Sequence, residues 1–185
     1  MDNPAAPPNG HDLCMVQAMA DLQMASSALT FLREAIPAEG MTRTDRRRLR
    51  CFEDAAVISY WRPFTGSDGL RRLEVRNFGV DVTPEQLALH ERIRERRNRV
   101  IAHTDFERMR LAFATYKVDD DTDVMMPFMD FDDGLAFFDD LEPLREWIKV
   151  LFRGAARKTF NRVQGHGEIH VVRDHTLTDR TEPDS

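Results

Sequence analysis

The chain has 185 residues, 42% of them hydrophobic and 31% charged, a size and apolar share that suit one domain with its own core. No apolar run approaches the ~20 residues of a membrane helix, and the acidic, proline-rich start MDNPAAPPNGHD is unlike a secretory leader, so a cytoplasmic protein is expected. A net charge of −6 argues against general DNA binding.

Residues 1–11 are expected to be disordered, being rich in proline, alanine and asparagine. From Asp12, read as an N-cap, Leu13, Val16, Ala20, Met24, Ala28 and Phe31 recur at helical spacing until Pro37 and Gly40. Thr42 or Thr44 can cap a second helix carrying Leu49, Phe52, Ala56, Val57 and Tyr60, which Pro63 and TGSDG stop. A loop with Phe78 and Val80 leads to Thr83-Pro84-Glu85-Gln86, a capping box with proline in the first helical position. The third helix is expected to run from Pro84 toward His103, with Leu87, Leu89, Ile93, Val100 and Ile101 apolar.

The period then changes. Met109, Leu111, Phe113 and Thr115 alternate with other residues, as do Val124, Met126, Phe128 and Asp130, predicting two strands joined by an acidic turn with Pro127 at an edge. A last helix is expected from Asp132 or Asp133, with Leu141, Leu144, Trp147, Ile148, Leu151 and Phe152 on one face and Arg145, Lys149, Arg153 and Arg157 opposite. The organisation expected is a helical domain over 12–163 and a flexible tail over 164–185.

Charge is segregated along the chain. Arginines crowd RTDRRRLR, GLRRLEVR and ERIRERRNR, while every charge between Asp119 and Glu142 is acidic. Such a division gives either an anion-binding face with a complementary partner surface or ordinary solvated helix faces. Asp119, Asp121 and Asp123 imitate the start of a calcium loop, but Val124 stands where glycine is needed, so an acidic hairpin tip is expected. Cys14 and Cys51 lie far apart with no histidines in metal spacing, and both are expected reduced and partly buried; no metal or cofactor is implied. Tyr60 and Trp61 are expected to close the core, while Arg62, if its loop folds beside the motif helix, can join a phosphate site or tie a motif carboxylate.

The segment RNRVIAHTD ending an arginine-rich helix, preceded by DAAVISYWRPFTG, resembles the HEPN superfamily, in particular its abortive-infection-type members. The likeness covers roughly Leu13 to Phe160. It implies a mostly α, up-and-down helical bundle, here with a small β-hairpin or extended insert before the last long helix, and a homodimer formed through the motif helices. It also implies, in active members, metal-independent RNA cleavage of the toxin or antiphage type. Other members are non-catalytic partners of nucleotidyltransferases or antitoxins.

On this resemblance Arg97 is the phosphate-binding arginine, Asn98 orients, and His103 is the general acid and base. Arg96, Arg99 and Arg62 are candidate RNA contacts. The chemistry suits the residues: histidine titrates near neutral pH, and the guanidinium fork matches phosphate oxygens. At ~100° per residue, however, Arg97 and His103 fall about 120° apart on a regular helix, whereas Arg96 and Arg99 share the histidine's face better. Either the helix ends before His103, or Arg97 reaches a partner's histidine, or Arg96 or Arg99 is the working arginine.

Overall fold

The computed structural model describes residues 10–66, 71–98, 109–119, 122–131 and 134–163. The described residues are mostly helical, with four α-helices and one two-stranded antiparallel sheet among them: α1 Gly10–Glu34, α2 Arg43–Trp61, α3 Pro84–Arg96, β1 Met109–Lys117, β2 Asp123–Phe131 and α4 Leu141–Val163. Short 3-10 turns cover Arg62–Phe64 and Val75–Phe78. No helix among the described residues is long and apolar enough to cross a membrane. The disorder expected over 1–11 is wrong at Gly10 and His11, which form the start of the first helix; residues 1–9 and the tail 164–185 lie outside the described residues.

α1 begins at Gly10, so Asp12 is not the cap. It lies in the first turn, where its charge faces the positive end of the helix dipole. α2 and α3 start as the threonines predict. The Thr42 side chain accepts from Asp45 N at 3.1 Å and that of Thr83 from Gln86 N at 3.3 Å, each returned by the partner side chain to the cap's own N–H.

α1 packs on both α2 and α4, and it buries a different face from the one expected. Met15, Ala18, Leu22, Ala25, Leu29 and Leu32 point inward, whereas Leu13, Val16, Ala20, Met24 and Phe31 are exposed; of the expected stripe only Ala28 is buried. Both sets recur at helical spacing, so periodicity alone does not choose between them.

α4 starts at Leu141, not near Asp132. Pro143 lacks an N–H and its ring clashes with the carbonyl four residues earlier, so it fits only a first turn. The N–H groups of Ala136 and Phe137 serve Glu53 instead, each at 2.9 Å. Leu144, Trp147, Ile148 and Leu151 are buried as expected, but the Arg145 side chain is only 14% exposed and does not lie opposite them in solvent. Gly154 lets the chain between α2 and α3 approach α4 closely: a Cβ there would meet Phe78 O and Val80 Cγ1, each at 2.5 Å.

The two strands pair in register from Met109 opposite Phe131 to Lys117 opposite Asp123, closed by Val118 N donating to Thr122 O at 2.9 Å. Pro127 sits opposite Phe113. Phe113, Tyr116, Met125 and Met126 are all more than half exposed, so this hairpin stands away from the helical core. Cys14 is buried as expected; Cys51 is exposed, because it lies on the outer side of α2.

Candidate functional site

Arg97 and Asn98 are the first two motif residues, and they follow α3 in a widened π turn. The Arg97 N–H bonds to the carbonyls of Arg94 and Ile93, and its Nη1 donates to Asn98 Oδ1 at 3.1 Å. Both residues line an open cleft of about 840 Å³. Its other walls are Trp61, Phe64, Thr65 and Gly66 from the end of α2, Arg72, and Glu91, Arg92, Arg94 and Glu95 of α3. Four arginines against two glutamates leave the cleft cationic.

Those cations differ in availability. Arg92 is held by Asp140 at 2.8 Å, donates to Ala136 O and lies over the Phe137 ring; Arg94 pairs with Glu91. Arg72 and Arg97 have no carboxylate partner among the described residues, which leaves them able to take an anion. A guanidinium beside an aromatic edge suits a phosphate next to a base.

Behind the aromatic wall lies a buried relay that the sequence reading missed. The His90 ring packs on Trp61 and Phe64, with centroids 5.0 and 4.7 Å away. Trp147 Nε1 donates to Tyr60 Oη at 2.7 Å, and Tyr60 Oη lies 2.7 Å from His90 Nδ1. A hydroxyl that accepts from Trp147 still has its own proton to give, and a neutral His90 with its proton on Nε2 can receive it at Nδ1. Burial, and then Arg94 and Arg72 against an opposing push from Glu91, hold His90 below the ordinary histidine pKa; burial raises that of Tyr60. The signal was available: His90 is three residues before Ile93, on the inward face of α3.

The structure separates the other predicted residues. The Arg96 side chain is only 5% exposed and faces inward, 3.6 Å from Glu53 and 3.4 Å from Asp54. Glu53 is fully buried and also receives the Ala136 and Phe137 N–H groups. Burial raises its pKa, opposed first by those two N–H bonds and then by Arg96. Arg96 is thus part of the interior, not of a surface offered to RNA. Arg62 pairs with Asp21 at 3.5 Å and lines a separate cavity of about 280 Å³ with Cys14, Gln17 and Arg71, so among the described residues it meets neither expectation: its carboxylate belongs to α1, not to the motif, and it does not join Arg97. Tyr60 and Trp61 are buried as expected, although Trp61 still forms part of the cleft wall. Arg99 and His103 lie outside the described residues. No cluster of histidine, cysteine, aspartate and glutamate suited to a metal occurs among the described residues. Comparison of the chain with known protein families, curated proteins and solved structures finds no match.

Proposed function

We propose that this chain is a HEPN-like, metal-independent endoribonuclease of the toxin or antiphage type, with the cleft lined by Arg97 and Asn98 as its RNA site. The observation that carries the reading is the placement of these two motif residues beside Arg72, Trp61 and Phe64 in one open, cationic cleft. Arg97 and Arg72 take the phosphate oxygens and stabilise the charge that builds on them. Asn98 and the Arg97 side chain already touch, so a phosphate bound by one orients the other. His103 removes the proton of the ribose 2′-hydroxyl, whose oxygen attacks phosphorus. The 5′-oxygen leaves with a proton, and a 2′,3′-cyclic phosphate remains. Two chains pairing through the motif helices would bring a second histidine to the site.

The test is cleavage of a labelled single-stranded RNA and a structured RNA in EDTA. The wild type is expected to cut, and Arg97→Ala and His103→Ala to lose the activity. Cleavage unchanged in His103→Ala would remove the histidine from the chemistry.

A second reading, a non-catalytic module that binds a nucleotidyltransferase or antitoxin, is favoured by Glu91 and Glu95 in the cleft wall, which oppose a polyanion. RNA left intact by the wild type, with a protein partner retained by the cleft arginines, is the outcome it requires.

A further inference from the structure

The exposed side of α1 has no role in the cleft. Leu13, Val16, Ala20, Met24 and Phe31 form one stripe along it, with Met24 60% and Phe31 52% exposed. α1 packs on both α2 and α4, and the stripe lies on its side away from the core residues Met15, Ala18, Leu22, Ala25 and Leu29. It continues onto α2. The Asp21–Arg62 and Phe31–Phe52 pairs set the two helices antiparallel, and Cys51, Ala55 and Ile58 are exposed on the outer side of α2.

Charge identifies the occupant. In a chain that is 31% charged, α1 from Leu13 to Leu32 carries a single charged side chain, Asp21, which is buried against Arg62. A partner chosen by charge would find nothing to read there. Along α1 a second copy meets no repulsion from itself, as a two-fold interface requires, and on α2 the contact is confined to Cys51, Ala55 and Ile58, beyond the exposed Arg47 and Arg48. The length is also adequate. From Leu13 to Phe31 the helix rises about 27 Å, and two helices are ~20 Å across. That footprint is of the order of the ~800 Å² per partner that stable dimers bury. The segment 164–185 is a poor alternative cover, since its apolar residues are scattered among charged and polar ones.

We propose that two copies of this chain associate through the outer face of α1, with the flanking face of α2 extending the contact. The interface does not depend on the RNA reading, because none of its residues lines the cleft. It is distinct from any pairing through the motif helices.

The test is the mass of the full chain at micromolar concentration, by size exclusion with light scattering. The wild type is expected to run as two copies, or an even multiple, and Val16→Glu/Met24→Glu at half the wild-type mass with unchanged helical circular dichroism. Both positions are solvent-exposed, so the variant retains its core. Met24→Leu keeps the wild-type mass. A wild type that runs as a single chain overturns the proposal and assigns the face to another segment or another protein. A mass unmoved by Val16→Glu/Met24→Glu overturns it as well.

Discussion

Trp147 on α4 donates its indole N–H to the Tyr60 hydroxyl of α2 at 2.7 Å, and the same hydroxyl hydrogen-bonds Nδ1 of His90 on α3 at 2.7 Å. One oxygen therefore ties three helices together. Tyr60→Phe keeps the ring packing and leaves the indole N–H and the imidazole Nδ1 unpaired. The expected loss is ~2–4 kcal/mol, from two buried groups at ~1–3 kcal/mol each with partial relief. Urea denaturation measures it, and a loss below ~0.5 kcal/mol would deny the relay a structural role.

The same relay gives the fold a pH dependence. His90 is harder to protonate in the folded chain than in the unfolded one, where histidine titrates near 6.5. Between the folded value and 6.5 the unfolded chain binds more protons, so this contribution is complete above 6.5 and is lost as pH falls through the window. Glu53 has the opposite sign, since burial raises its pKa and acid favours its folded form. Urea midpoints of the wild type and of His90→Gln, whose side-chain oxygen still accepts from Tyr60, separate the two. The wild type is expected to lose more stability than the variant between about pH 7.5 and pH 5.5.

Arg96 and Glu53 form a buried pair, and removing one partner strands the other. Arg96→Ala is expected to cost ~3–5 kcal/mol, whereas Arg94→Ala, whose pair with Glu91 is half exposed, is expected to cost under ~1 kcal/mol. Thermal and urea unfolding of the two variants check the contrast. Equal losses would contradict the inward placement of Arg96.

Gly154→Ala places a methyl group against the Phe78 carbonyl and the Val80 side chain. The backbone at Phe78 has to move, at an expected cost of ~1–3 kcal/mol, although alanine is the better helix former. A stabilised variant, read from the melting temperature, would show that this approach is loose.

For the RNA site, Arg97→Ala is expected to lower cleavage by ~100-fold or more with no change in melting temperature, because the arginine contributes to the cleft and not to the core. A single-turnover assay at saturating protein measures it. Arg62→Ala, on the far side of Thr65, is expected to leave the rate within about two-fold, since its guanidinium is spent on Asp21.

Local signals read well from the sequence. Thr42 and Thr83 had their capping partners three residues on, and the alternation around the acidic turn gave a hairpin. What depended on phase or on distant partners did not. α1 is apolar on two sides, so its register offered no way to tell Leu22 from Met24; the choice is made by α2 and α4. Pro143 announced a helix start that was read some nine residues too early, because Asp132 and Asp133 are equally good caps. Glu53 lies between Leu49 and Val57 on the apolar side of α2, which marked it as interior. Its partners at Arg96, Ala136 and Phe137 are separated from it by the rest of the fold and carry no local trace.

The Glu53 carboxylate has a topological consequence. Arg96 ends α3, and Ala136 and Phe137 precede α4, and all three are gathered on this one side chain. The end of α3 and the lead into α4, which 39 residues separate in the sequence, are therefore fastened at a single carboxylate. Loss of that one carboxylate would release both ends of the intervening chain from the core at once.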